Sequence, residues 1–248
     1  VSLPADAAYT LLSLDGGKLT VVNEEYTASI TFEGTKTIVG REMTEADVFT
    51  FEIVEGDTVI ATATNDADGR IIYPQIGYTM ADVGEHTYII RETSQSSSGV
   101  KVDDNVYTVA VNVNDNGDGT LAVEATGNYT ALDFTNTALG GFKFTKRNVT
   151  GDALPGALFG VYSNEACTTK LHELTTDEYG EASLTGLEAG KTYYIQEITA
   201  PTGYVLNETV YSVTIEANVD NKPVGETGVI INERNTIDLC VHKNWHNA

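Results

Sequence analysis

Apolar and polar residues alternate along most of the chain with a period of two, as in YTASITF (26–32), VFTFEIV (48–54), TVIATAT (58–64), HTYIIRE (86–92), VYTVAVNV (106–113), TYYIQEI (192–198) and VYSVTIE (210–216). Runs rich in Thr, Val, Ile, Tyr and Phe at this period are strand signatures. Between them stand turn clusters such as NDADGR, NDNGDGT and TDEYGE, whose glycines supply the positive φ that tight hairpins need. No stretch sustains the 3.6-residue period of an amphipathic helix. The pattern predicts an all-β chain of tandem antiparallel β-sandwiches.

At 248 residues the chain exceeds one ordinary sandwich, so two modules are expected. The Gly140–Gly141 step between FTNTAL and FKFTK supplies the break, giving modules at 24–138 and 139–236. The ends fit neither module. Residues 1–23, ending in KLTVVN, read as the closing strand of a preceding domain, and 237–248, with IDLCVHKNW, as the opening strand of a following one.

Strand parity then exposes a conflict. In GFKFTKRNVTG (141–151), inward Phe142 and Phe144 carry Lys146 inward with them. Likewise Tyr193 and Ile195 share a face with Glu197, and Ile230 with Asn232. The first module repeats the pattern, with Ile30 and Phe32 in phase with Lys36, Tyr88 and Ile90 with Glu92, and Leu132 and Phe134 with Asn136. Both modules present Lys on the first strand, Glu on a middle strand and Asn on the last.

Buried charges are costly unless paired or neutralised. A desolvated Lys can titrate near about 5–6 and a desolvated Glu near about 8–9, leaving both uncharged at neutral pH. A neutral amine is a nucleophile and the Asn carboxamide an electrophile. Glu92 and Glu197 would be the catalysts, donating to the carboxamide oxygen and shuttling a proton to the departing nitrogen. The products would be isopeptide bonds Lys36–Asn136 and Lys146–Asn232, each with loss of ammonia. The same parity also fits a structural Lys–Glu ion pair beside a satisfied Asn. Recurrence in the same order, each time tying first strand to last, favours the reactive reading.

The motifs FKFTKRNVTGDALPGALFGVY, TTDEYGEASLTGL and YYIQEITAPTGYVL, closing on VIIN, resemble the B-type (Cna B, prealbumin-like, SpaA-type) domains of collagen-binding surface proteins and pilins, with ITAPTGY completing the pilin E-box around Glu197. Residues 24–138, with FEGTKTIVG, DVFTFEI, GRIIYPQIGYTMADVGEHTYIIRE and LDFTNT, resemble the isopeptide-linkage domain of Gram-positive pilins. These resemblances imply the Lys, Glu and Asn roles on the same six residues. They also imply that Asn23 and Lys243 are half-sets whose partners lie in neighbouring domains. The implied function is a structural stalk of a cell-wall-anchored surface protein or pilus, with neighbouring domains or other pilin subunits as partners and no catalysis beyond a single autocatalytic turnover. The alternative is an adhesin module recognising a host matrix protein or glycan. No LPxTG-type sorting signal is present, and IIYPQ has Gln75 where a YPK motif has its linking Lys, so pilus backbone, minor pilin and monomeric adhesin all stay open.

Charge narrows the partners. With 36 acidic and 14 basic residues the net charge is −22, which repels nucleic acid and anionic membranes. Cys167 and Cys240 lack metal or redox spacing, and no apolar run is long enough for a transmembrane helix. Cys240, His242 and His246 share a strand face but match no zinc motif, and NDNGDGT lacks the twelfth-position acid of a calcium loop. Neither cofactor nor metal is expected. Glu92 and Glu197 fall in different modules, against a glycosidase pair. The sequons at Asn128, Asn148 and Asn207 read as surface turns and strand edges.

Overall fold

In the computed structural model, the structure describes residues 27–97, 99–236 and 242, together with the backbone of Leu11–Asp15 and Lys18–Val22. The chain divides into two compact units. One holds residues up to Ile38, Glu42–Ser96 and Val102–Asn136; the other holds Val39–Arg41, Ser97–Lys101 and the chain from Thr137 onward.

Strands of the first part of the chain are β1 (Leu11–Asp15), β2 (Lys18–Val22), β3 (Ala28–Ile30), β4 (Glu33–Val39), β5 (Thr50–Glu55), β6 (Thr58–Thr64), β7 (Arg70–Ile72), β8 (Ile76–Tyr78), β9 (Gly84–Glu92), β10 (Val100–Lys101), β11 (Val106–Asp115) and β12 (Leu121–Thr126). After them come β13 (Leu132–Asn148), β14 (Leu158–Tyr162), β15 (Lys170–Thr175), β16 (Glu181–Glu188), β17 (Thr192–Thr199), β18 (Tyr211–Thr214), β19 (Lys222–Pro223) and β20 (Val229–Asn232). The sole helical turn among the described residues is the 3-10 turn Met80–Asp82. An all-β architecture is therefore observed, as the period of two predicts.

In the first unit, a five-stranded antiparallel sheet ordered β12-β11-β9-β5-β6 packs against a layer built from β13, β4 and β7. Inward residues of the two layers meet directly: Phe51 of β5 lies 4.9 Å from Phe134 of β13, ring centre to ring centre, and Phe32 lies 5.7 Å from Tyr88 of β9. The second unit opposes the sheet β15-β14-β17-β18 to strands paired with β13, and Phe144 meets Phe159 of β14 at 4.7 Å. Burial of such rings is the main stabilising term of each core.

Two features go beyond the expected antiparallel sandwich. First, β13 runs unbroken from Leu132 to Asn148, so the Gly140–Gly141 step lies inside a strand rather than in a linker. The step is a bulge: the register with β16 shifts between Gly140 and Phe142, and a Cβ on Gly141 would sit 2.5 Å from the Leu184 carbonyl oxygen. Second, the first and last strands of the second unit are parallel neighbours, with Lys146 opposite Ile230 and Asn148 opposite Asn232. In the first unit the rungs Thr35–Asp133 and Thr37–Thr135 advance together along β4 and β13, as parallel neighbours do. Near the start, β2 pairs antiparallel with β1 from Leu11↔Val22 to Asp15↔Lys18, a hairpin.

Candidate functional site: two buried Lys–Glu–Asn clusters

Alternation on β4 buries Ile38 and Lys36 on one face while Thr35 and Thr37 stay exposed on the other. On β9 the same rule carries Tyr88, Ile90 and then Glu92 inward, and on β13 Leu132, Phe134 and Asn136. The side chains of Lys36 and Glu92 are both 0% exposed, with Lys36 Nζ donating to Glu92 Oε2 at 2.8 Å. Asn136 Nδ2 donates to Glu92 Oε1 at 3.0 Å. Its carboxamide oxygen, Oδ1, accepts from the backbone N–H of Asp103 at 2.7 Å. Glu92 thus bridges amine and carboxamide, one oxygen to each. The rings of Phe49 and Phe51 lie 5.0 and 5.9 Å from Nζ and complete a water-poor wall.

The second cluster is built on β13, β17 and β20. Lys146 and Glu197 side chains are 0% exposed, 3.5 Å apart from Nζ to Oε1. Lys146 Nζ donates to Asn232 Oδ1, and Asn232 Nδ2 donates to both Glu197 oxygens at 2.9 Å. A loop amide takes part here too, the Asn207 N–H donating to Glu197 Oε2 at 2.7 Å. Phe159 lies 5.6 Å from Nζ. Beside the cluster a surface recess of about 230 Å³ is lined by Val205, Leu206, Asn207, Ile231, Asn232 and Glu233.

Burial dominates the electrostatics of both lysines. Desolvation pushes Lys146 down to about 8, against the opposing pull of the Glu197 carboxylate. Lys36 is also lowered by desolvation, with the hydrogen bond and charge of Glu92 and the charge of Asp103 opposing. A lowered lysine gives up its proton at lower pH than an exposed one, which makes the neutral amine more accessible.

All six residues singled out by parity therefore fall into two groups of three, each group on three strands. Asn23, Lys243, Cys240 and His246 lie outside the described residues, and His242 is exposed. Among the described residues no group of three His, Cys, Asp or Glu side chains could hold a metal ion. Among the described residues no helix is long and apolar enough to cross a membrane. Sequence reasoning missed Asp103 and Asn207, because both contact the clusters through a backbone N–H that every residue but proline carries.

Residues 32–138 match the family FctA, described as a Spy0128-like isopeptide containing domain, and residues 140–226 match the family SpaA, a prealbumin-like fold domain. No curated protein matches the chain. Among solved structures it is similar to the Bacillus anthracis TIE protein, at 24% identity over 88% of this chain and 36% of that one, with a TM-score of 0.39. It is also similar to the shaft pilin SpaA of Lactobacillus rhamnosus GG, at 13% identity over 86% of this chain and 100% of that one, TM-score 0.40. A third likeness is to the minor pilin GBS52 of Streptococcus agalactiae, at 14% identity over 86% and 100%, TM-score 0.34. In tandem, residues 32–138 thus match the Spy0128-like isopeptide containing family and residues 140–226 the SpaA prealbumin-like family.

Proposed function

We propose that this chain is a stalk segment of a Gram-positive cell-surface protein or pilin, each unit locked by an autocatalytic Lys–Asn isopeptide bond. The observation that carries the reading is the pair of fully buried Lys–Glu–Asn clusters, each with its carboxylate hydrogen-bonded to the carboxamide nitrogen and paired with the lysine. In the reaction, Nζ attacks Cγ of the Asn and the Nζ–Cγ bond forms. Glu takes a proton from Nζ and passes it to Nδ2, the Cγ–Nδ2 bond breaks, and ammonia departs. Glu is regenerated, so each unit reacts once. Proximity in the folded core replaces what would be a negligible bimolecular aminolysis. The product amide is neutral, and its burial costs far less than that of two charges.

In this reading Lys36–Asn136 and Lys146–Asn232 are the bonds, with Glu92 and Glu197 as proton shuttles; the recess beside Asn232 offers ammonia a way out of the second unit. Neighbouring domains of the same protein or other pilin subunits are the partners, at the cell wall or on a pilus. Asn23 and Lys243 would each complete a cluster with a neighbouring domain.

Intact-mass measurement of the purified chain tests this. A deficit of two ammonia equivalents is expected, with tryptic mapping recovering both cross-linked peptides. An unmodified mass would sink the reading, and a deficit of one would restrict it to the unit whose cross-linked peptide is found.

A further inference from the structure

The two clusters use their loop amides differently. In the second unit the Asn207 N–H binds the shuttle, Glu197 Oε2. In the first unit the Asp103 N–H binds the electrophile itself, Asn136 Oδ1, at 2.7 Å. A backbone N–H can only donate, so it fixes which end of the Asn136 carboxamide is oxygen and turns Nδ2 toward Glu92.

We propose that Asp103 is a catalytic residue of the first unit, its backbone N–H serving as the oxyanion donor for attack on Asn136 and its own carboxylate holding that N–H in aim. This rests on the isopeptide reading above. As Nζ of Lys36 adds to Cγ, negative charge develops on Oδ1, the atom the Asp103 N–H already contacts. A preorganised donor in a water-poor site stabilises that charge without reorganisation. No covalent bond to Asp103 is made or broken.

The aim is built in. Asp103 Oδ2 accepts from the backbone N–H of Thr135 at 2.5 Å, the residue just before Asn136, and Oδ1 accepts from Asn105 N–H at 2.9 Å. Asp103 thus grips the Thr135–Asn136 segment twice, by its carboxylate on the strand and by its N–H on the reacting carboxamide. The loop is tied from the other side by Val102 N–H donating to Ser96 Oγ at 3.1 Å. An Asp that merely closed a turn would need the Asn105 contact alone.

The test uses the full chain, collected unlinked from inclusion bodies and folded by dilution, with the Lys36–Asn136 cross-link followed over time by mass and peptide mapping. The second unit serves as internal control, since its cross-link should form at an unchanged rate. Asp103→Pro removes the N–H and should slow the first cross-link by about 100-fold or more, the usual cost of one oxyanion donor. Asp103→Ala keeps the N–H but frees the loop, and should slow it by between about ten- and a hundredfold. Asp103→Asn, which keeps one acceptor, should fall between Ala and wild type. Circular dichroism and protease resistance, compared with an unlinked Lys36→Ala chain, identify the folded variants. A folded Pro or Ala variant that links at the wild-type rate overturns the proposal while leaving the isopeptide reading intact; if Pro prevents folding, Ala decides. Absence of the Lys36–Asn136 link in the wild type, by contrast, defeats the isopeptide reading itself.

Discussion

Lys146 is the residue whose burial most directly sets its chemistry. Desolvation holds its amine down to about 8, so the nucleophilic form becomes abundant as pH rises toward that value rather than toward the ordinary 10.5. The rate of the second unit's cross-link, measured on unlinked chain diluted into buffers from about pH 5 to 10, should climb through about pH 8 and then level. A flat profile below pH 8 would show that amine deprotonation does not limit the reaction. Glu197→Ala should leave that unit folded and unlinked, because the variant removes the shuttle but neither bonded partner; a Lys146–Asn232 peptide in its digest would refute the shuttle role. Histidine 86 titrates for a different reason. Its Nδ1 lies 2.7 Å from Glu55 Oε1 and its Nε2 2.7 Å from the Asp82 carbonyl, two acceptors that only a doubly protonated ring can satisfy. Burial opposes the charge, but the Asp82 carbonyl and the Glu55 carboxylate outweigh it and raise the pKa. A raised folded value stabilises fully below the unfolded pKa of about 6.5 and is lost as pH climbs through the folded one. The melting-temperature gap between wild type and His86→Gln should therefore shrink as pH rises over that window. The six cluster residues were legible because a period of two is enough to tell which face a side chain takes. Asp103 was not, since its part is played by an atom without a side-chain signature.

Strand by strand, the elements were legible in kind but not in pairing. Alternation in YYIQE and VIIN places Glu197 and Asn232 inward, yet it is the same whether a neighbouring strand runs parallel or antiparallel, so the parallel pairing of β13 with β20 could not be read from it. Gly140 and Gly141 stand inside β13 for a physical reason. Glycine marks linkers and also marks places where backbones crowd, and here a Cβ on Gly140 would lie 2.1 Å from the Glu216 carbonyl oxygen. Gly34 of β4 is a similar case near Lys36: a Cβ there would lie 2.4 Å from the Leu132 carbonyl oxygen of β13. Gly34→Ala must push β4 away from β13 two residues before Lys36. The expected cost is about 1–3 kcal/mol in an unlinked background, read by denaturant titration. The same displacement should slow the Lys36–Asn136 cross-link, since the two strands carry nucleophile and electrophile. Unchanged stability and unchanged linking rate together would mean that β4 and β13 tolerate separation, and that the close approach is not what sets the reacting geometry.

For the whole molecule the consequence is mechanical. In the second unit β13 and β20 are parallel, so pulling on the unit's two ends draws them in opposite directions along their length and shears a ladder that registers only Thr145–Asn148 with Val229–Asn232. Hydrogen bonds in so short a ladder would yield early. A Lys146–Asn232 amide alters the path of the load, which enters along β13, crosses the side-chain link and leaves through the end of β20. Residues 147–231 then carry no tension, and in the first unit residues 37–135 are bypassed in the same way. Closing loops of this length also restricts the unfolded chain by roughly 4 kcal/mol each on the chain-entropy account, without the redox sensitivity of a disulfide. Single-molecule pulling on the wild type should therefore show no long extension step from either unit at forces that unfold ordinary sandwiches. Lys36→Ala and Lys146→Ala should each restore one step, of a length set by the bypassed residues, and the double variant both. Heat resistance should fall alongside, because each variant loses the covalent restriction and leaves Glu and Asn buried without their partner. A wild type that extends as readily as the double variant would remove the physical ground for a stalk, whatever its mass showed.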